Sequence, residues 1–233
     1  MDAGRVIVSG AFTGAFQFIA DNPHLLVTKA IEQLELAGAA LLLAAVVALP
    51  VGIALGHLHR GSTVAVGASI VGRALPSLVL IGVFVTVLGI GFTNNMAALA
   101  VLATGPMLTN AFEGIDRVDR DTVDAARGMG MTGMQILRRI ELPLSLPLLF
   151  TGIRVAAVTV VATAPIAAIA GGGGLGDIIV NQASYRLSGV LGASICVMAL
   201  SAGVFVALVA LQRAVTPRGL RMTMVPEVQR GKE

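Results

Sequence analysis

The sequence is poor in charge, cysteine and aromatic residues. Of its 233 residues only 12% are charged, one is cysteine, one is tyrosine and none is tryptophan. With 56% hydrophobic residues, the chain has too few charges and too much apolar surface for a soluble domain. The lone cysteine, Cys196, excludes an internal disulfide and a thiolate metal site, and we expect no metal in this chain.

Long apolar runs are what the sequence does contain. Five of them reach the roughly 20 residues that a helix needs to cross the hydrocarbon core. They are too long for barrel strands, so each predicts a transmembrane helix and the fold class is an all-α membrane protein. Four contain proline and all are rich in small residues, which predicts kinked, closely packed helices. The predicted spans are residues 36–56, 64–88, 92–112, 144–170 and 189–211.

The segments outside the spans predict the topology. Residues 1–35 hold only a short apolar run, which favours an interfacial periplasmic segment over a signal peptide. If the segment after the third span, which includes residues 121–143, is cytoplasmic, eleven Lys and Arg lie inside and three outside. This imbalance predicts an outside N-terminus and a cytoplasmic basic tail at residues 212–233. Topology therefore explains the basic composition, and no nucleic acid is expected as a partner.

The chain lacks the residues that would power transport by itself. None of its thirteen Asp and Glu lies inside a predicted span, which argues against a proton-coupled carrier, although sodium held by backbone carbonyls stays open. Its only lysines, Lys29 and Lys232, are not placed to follow a phosphate-binding loop. We therefore expect no enzyme activity and no cofactor in this chain, and an energy source in another polypeptide.

Two further motifs have plain explanations. Residues 171–177, "GGGGLGD", match a dinucleotide-binding pattern, but they follow a membrane run instead of a strand. A flexible exit from span four and close backbone packing where the spans converge both remain open. His57 and His59 are two residues apart beside a charged loop, which favours a solvated turn over a metal site.

The polar stretch at residues 124–143, "DAARGMGMTGMQILRRIELP", interrupts the apolar chain. Asp121, followed by Asp124, is the predicted cap of a first short helix, which ends at a glycine hinge at Gly130. Thr132 and Gln135 predict the capping box of a second helix, which Pro143 should end.

The same stretch carries apolar side chains suited to contact with another surface. Ile136 and Ile140 share one helix face, and Met129, Met131 and Met134 provide an adaptable surface. A groove on a partner protein is the favoured site for this surface, with lipid headgroups as the alternative and a DNA-binding motif much less favoured.

Seven residues of the stretch at 124–143 resemble a known motif. They match the EAA motif of the permease subunits of ABC importers, except that Asp124 replaces the usual Glu, which keeps the charge and shortens the arm. Further stretches resemble the osmoprotectant permeases for glycine betaine, carnitine and choline: "RALPSLVLIGV", "GPMLTNAFEGI", "AARGMGMT" and "GGGGLGDIIV". The matching motif residues are Asp124, Ala125, Ala126, Gly130, Ile140, Leu142 and Pro143.

The resemblance implies a fold, partners and a location. The fold would be the five-helix core of the type I importer permeases (MetI-like), in a bacterial or archaeal inner membrane. Two permeases, identical or related, would form the path between an external binding protein and two ATPases, which bind the ATP, and the motif would be the coupling helix. A methionine-type amino-acid permease is the alternative within this class, and a stand-alone carrier or channel is the alternative outside it.

Some polar and glycine residues are candidates for the translocation path or its gate. Arg73 and Arg154 have a competing explanation, because they could snorkel to headgroups or pair inside the bundle. For Asn110 a hydrogen bond between helices competes. Capture of a quaternary ammonium group commonly uses an aromatic cage, but this chain has a single tyrosine, Tyr185, and no tryptophan. This composition fits recognition of the solute by the binding protein, and it equally fits a solute that is not a quaternary amine. The path or gate candidates are Arg73, Pro76, Ser77, Thr109, Asn110, Gly173 and Gly174.

Overall fold

A computed structural model describes residues 3–59, 67 and 75–215. All the regular elements in these ranges are helical, so the predicted all-α fold is confirmed. The α-helices are α1 (Ala3–Asp21), α2 (Pro23–His57), α3 (Ser77–Leu88), α4 (Phe92–Asp116), α5 (Arg120–Gly128), α6 (Gly133–Ile136), α7 (Leu142–Thr163), α8 (Gly176–Val180) and α9 (Gln182–Val215). A π-helical turn, Leu137–Glu141, joins α6 to α7, and a 3-10 helix, Ala164–Ala170, extends α7.

Three helical stretches in the described residues are long and apolar enough to cross a membrane. They are Pro23–His57, Gly133–Ala170 and Gln182–Val215, which contain the first, fourth and fifth predicted spans. The third predicted span lies in α4, which carries Asn94, Asn95 and Asn110. This helix is not among the three that are apolar enough to cross a membrane. Of the second span, the structure describes the shorter apolar helix Ser77–Leu88, while Arg73 lies outside the described residues.

Helices α2, α4 and α7 pack around one apolar core. At two glycines α2 approaches α4 so closely that a side chain would not fit: a Cβ on Gly52 would lie 2.7 Å from Ala111 Cβ, and one on Gly56 would lie 2.8 Å from Ile115 Cβ. This register makes the two helices parallel. The buried core includes Leu36, Ala40, Ala44, Ala48, Leu99, Ala103, Met107, Ala156 and Val160.

The third helix of the core, α7, runs antiparallel to α4. A Cβ on Gly152 would lie 2.7 Å from Asn110 Cβ, and one on Gly114 would lie 3.2 Å from Ser145 Cβ. The small residues of the sequence therefore permit close approach of helices, as expected for packing in lipid.

A buried glutamine satisfies a backbone carbonyl that a proline leaves without its helical hydrogen-bond donor. Pro165 has no N–H, so the carbonyl of Val161 loses the donor that an α-helix would supply four residues later. Gln33 on α2, which is 2% exposed, donates its Nε2–H to this carbonyl at 2.9 Å. The bond satisfies a buried acceptor and ties α2 to α7 at the end of the bundle away from α5.

Helix α1 lies against α9. The ring of Phe18 meets that of Tyr185 edge to face with centroids 6.1 Å apart, and it covers Gly189 and Gly192. Asn22 closes α1 by donating its side-chain N–H to the Phe18 carbonyl, and Pro23 starts α2. The N-terminal segment is thus an ordered helix against the last span.

Candidate functional site

The polar stretch folds into a helical elbow, residues 119–141, at one end of the bundle. Its first helix, α5, is capped by Asp119, whose Oδ1 accepts the N–H of Asp121 at 3.2 Å and whose Oδ2 accepts the hydroxyl of Thr122 at 3.1 Å. The prediction that Asp121 is the cap was therefore wrong by two residues. An Asp side chain fits this role because it satisfies N–H groups that the first helical turn leaves free.

The predicted break at Gly130 is confirmed. Helix α5 ends at Gly128, and Gly130 has a φ of +85°, a left-handed conformation that favours glycine. The N–H groups of Gly130 and Met131 return to the carbonyls of Arg127 and Ala126 at 3.0 and 3.2 Å. These bonds close the helix end and turn the chain toward α6.

The second half of the elbow begins as predicted and ends differently. The capping box of Thr132 and Gln135 is present, with the Thr132 N–H donated to Gln135 Oε1 at 2.8 Å. Pro143, however, does not end the helix, which continues from Gly133 to Ala170. The π turn explains this, because the Leu142 N–H bonds Leu137 O, five residues back, in a wider turn that admits the proline ring.

The elbow has a small apolar core of its own. Val118, Val123, Ala126 and Ile136 are buried together, with Met131 and Ile140 packed against them. The predicted shared face of Ile136 and Ile140 therefore faces this core. Because these apolar side chains pack together inside the elbow, the other sides of α5 and α6 face outward, away from the elbow core.

The exposed side of the elbow is here called the docking face and consists of Asp124, Ala125, Met129 and Met134. Met129 is 77% exposed and Met134 is 57% exposed. Asp124 Oδ1 lies 3.3 Å from Arg127 Nη1, and both side chains remain mostly in solvent. Of the other motif residues, Gly130 is exposed, Ala126 is buried, and Ile140, Leu142 and Pro143 are half-buried.

Two histidines connect the elbow end of the bundle across elements. His57 Nδ1 lies 2.5 Å from Glu141 Oε2, and His59 Nδ1 lies 2.9 Å from Asp116 Oδ1. The interpretation of these histidines as a solvated turn was wrong for His57, because its carboxylate partner is 2% exposed. No cluster of metal-binding side chains occurs in the described residues.

The glycine-rich loop at the opposite end is closely packed. Gly174 donates its N–H to Glu32 Oε2 at 3.0 Å, and a Cβ on Gly176 would lie 2.3 Å from Pro165 O. Of the two alternatives for this loop, close backbone packing is confirmed. Gly173 and Gly174, with φ of +71° and +77°, face Glu32 and Gln33 of α2.

Lys29 joins the loop to α2 by charge. Its Nζ lies 2.8 Å from Glu32 Oε2 and 2.7 Å from Asp177 Oδ2. Glu32 Oε2 therefore accepts hydrogen bonds from both the Lys29 ammonium and the Gly174 N–H. The ion pairs of Lys29 with Glu32 and Asp177 hold the loop against the first part of α2.

The path candidates are only partly brought together. Ser77 lines a cavity of about 360 Å³ between α3, α4 and α7. Thr159 and Thr163 share this cavity and were missed, although their spacing of four on span four places them on one helix face. Its lining is Leu75, Ser77, Leu102, Pro106, Val155, Thr159 and Thr163.

The other path candidates lie elsewhere. Asn110 donates to Pro106 O of its own helix at 2.8 Å, so the predicted bond between helices was wrong. Pro76 is the N-cap of α3, and Thr109 is half-buried on α4. Gly173 and Gly174 belong to the glycine loop described above.

Arg154 pairs inside the bundle, as one of its two alternative explanations predicted. Its Nη1 donates to Gln212 Oε1 at 2.9 Å, and its guanidinium lies 5.3 Å from the centroid of the Phe205 ring. Gln212 in turn donates to the carbonyl of Pro147 at 3.3 Å. These contacts tie α9 to α7.

The structure is a bundle of apolar helices, three of them long enough to cross a membrane, with a folded elbow that exposes its docking face at one end. The chain matches the family model "Binding-protein-dependent transport system inner membrane component" over residues 34–219. It belongs to this family and is a membrane permease subunit of an ABC transporter, as predicted.

Curated relatives match nearly the whole chain. It is 32% identical to the "Glycine betaine/carnitine/choline transport system permease protein OpuCB" of Bacillus subtilis, over 88% of this chain and 94% of that protein. It is 35% identical to the "Carnitine transport permease protein OpuCB" of Listeria monocytogenes, over the same shares. It is 31% identical to the "Osmoprotectant import permease protein OsmW" of Salmonella typhimurium, over 88% and 98%.

A solved structure confirms the fold. An inward-facing conformation of the MetNI methionine ABC transporter includes a chain that superposes with a TM-score of 0.73, over 84% of this chain and 99% of that one. The identity is 24%. The predicted type I importer permease fold is therefore correct.

Proposed function

We propose that the chain forms, with a second permease, the path of an ATP-driven importer for an osmoprotectant such as glycine betaine, carnitine or choline. The substrate class is supported by relatives that are 31–35% identical over 88% of this chain and whose names specify these solutes. Two permeases of Bacillus subtilis that match the chain share one transport-system name, which supports a pair of related subunits.

ATP is bound and hydrolysed by a partner in this proposal. The observation that carries it is the docking face, which a folded elbow exposes on a chain of this family. Two methionines beside the small side chain of Ala125 suit a groove on a cytosolic ATPase. Asp124, Ala125 and Gly130 would form and shape this contact, and Ile140, Leu142 and Pro143 would join it to α7.

The elbow lies on the cytoplasmic side in this arrangement, and the glycine loop faces the external binding protein. Closure of the two ATPases would displace the elbow, and rigid movement of the helices would switch access from outside to inside. The solute would pass along the surface that contains Ser77, Thr159 and Thr163, where polar and apolar residues line one cavity. The Thr159 hydroxyl donates to Val155 O at 2.8 Å, and its oxygen can still accept a hydrogen bond.

Reconstituted vesicles test the proposal. Vesicles with the chain, its partner permease, the ATPase and the binding protein are expected to accumulate betaine only when ATP is supplied. Vesicles with this chain alone should accumulate none, because in this proposal the free energy for accumulation comes from ATP hydrolysis by the partner. Accumulation against a gradient by the single chain would support a stand-alone carrier and end the proposal.

A further inference from the structure

The contact between His57 and Glu141 joins parts of the chain that are 84 residues apart. His57 is the last residue of α2, and Glu141 is the last residue of the π turn that leads from the elbow into α7. The Glu141 side chain is 2% exposed and that of His57 is 25% exposed. Among the described residues, His57 provides the hydrogen bond that satisfies this buried carboxyl group.

The imidazole also lies against the start of the second elbow helix. A Cβ on Gly133 would lie 3.4 Å from His57 Nε2, in ordinary van der Waals contact, so the ring packs beside this position. The elbow therefore contacts His57 at both ends of the segment from Gly133 to Glu141. A single hydrogen bond joins Nδ1 to Oε2, and a carboxylate oxygen in this bond requires the imidazole tautomer that carries its proton on Nδ1.

Helix α2 extends from this contact to the other end of the bundle. Its 35 residues span about 50 Å at the rise of an α-helix. At the far end Glu32 accepts the N–H of Gly174, and Gln33 bonds the carbonyl of Val161. Between these two ends, α2 packs directly against α4 at Gly52 and Gly56, where no side chain separates the two helices.

We propose that His57 and Glu141 are positioning residues that transmit displacement of the elbow to α2 and, along it, to the glycine loop. This inference rests on the proposed coupling role of the elbow. The covalent route through the π turn moves α7, and the His57–Glu141 bond adds a second route, so that α2 and α7 move together. Without the bond, the elbow moves while α2 and the loop lag behind.

The test compares two substitutions of Glu141 in the complete importer, reconstituted with ATPase, partner permease and binding protein. Glu141→Gln keeps an oxygen that accepts from His57. Glu141→Leu has a similar volume and no acceptor, and it leaves no buried charge, while the partly exposed imidazole of His57 keeps access to solvent. Both variants are expected to insert and to co-purify with the ATPase, because Glu141 is buried and is not one of the docking-face residues.

We expect Glu141→Leu to lower the betaine imported per ATP hydrolysed by about tenfold, within the range of measured coupling between sites, and Glu141→Gln to stay near the wild type. Wild-type import per ATP in Glu141→Leu, or an equal loss in both variants, overturns the inference. Failure of the proposed function is distinguishable, since the wild-type chain would then not co-purify with the ATPase at all.

Discussion

Replacing Ala125 by arginine is expected to abolish co-purification of the chain with its ATPase and, with it, ATP-driven import. Ala125 is exposed on α5, so the longer side chain projects into solvent and costs the free chain little stability. In the complex the guanidinium would be desolvated at a place where the groove accommodates the methyl group of Ala125. An unpaired buried charge costs about 3–5 kcal/mol, which lowers the affinity by a factor of roughly 100 to 4,000.

The matched control is Ala125→Ser, which adds one small hydroxyl at the same place and is expected to co-purify like the wild type. Membrane insertion and thermal unfolding should be the same for both variants. If the Ala125→Arg chain still co-purified with the ATPase in wild-type yield, the docking face would have to lie elsewhere on the molecule.

Gly52→Leu is expected to prevent stable folding of the bundle. A Cβ at this position would lie 2.7 Å from both Ala111 Cβ and Leu108 O, and backbone atoms cannot move aside without separating α2 from α4. Overpacking of this kind typically costs about 1–3 kcal/mol and more where backbone is involved. The yield of monodisperse protein in detergent and its unfolding temperature measure the effect.

Gly38→Leu is the control on the same helix, because nothing lies within 4 Å of a Cβ at Gly38. Its yield and unfolding temperature should match those of the wild type. The close packing of α2 and α4 would be refuted by a Gly52→Leu protein as stable as the Gly38→Leu protein.

The sequence predicts the local features of the elbow because they depend on neighbouring residues. The break at Gly130 and the capping box of Thr132 and Gln135 occur where expected. The cap of α5 was misplaced by two residues because Asp119 and Asp121 are both good caps, and only the three-dimensional path of the chain distinguishes them. The resemblance of the same stretch to the EAA motif predicts an ABC importer permease, the class to which the chain belongs.

Contacts between distant residues could not be predicted. Periodicity places a residue on a face, but it does not identify a partner on another helix, so the bonds from His57 to Glu141 and from Gln33 to Val161 were missed. The continuation of the helix through Pro143 was missed for a similar reason, since a π turn has no simple sequence signal.

The path candidates show the same limit. Polarity within a span selected both Ser77 and Asn110, yet Ser77 lines a cavity and Asn110 bonds its own helix. Thr159 and Thr163 line the cavity with Ser77, and Thr159 does so even though its hydroxyl also bonds its own helix, at Val155 O. A polar side chain in a helix can bond the preceding turn, and only the structure reveals which ones do.

Site-directed photo-cross-linking from the elbow tests most directly whether this segment engages the ATPase. Cys196, the lone cysteine, would be replaced by alanine, and a thiol-reactive photoprobe attached at Met129→Cys or, as a control at the opposite end, at Ser184→Cys, both of which are exposed. The account predicts an adduct with the ATPase from position 129 and none from position 184. An ATPase adduct from position 184 alone, or labelling of position 129 from outside intact cells, would contradict it.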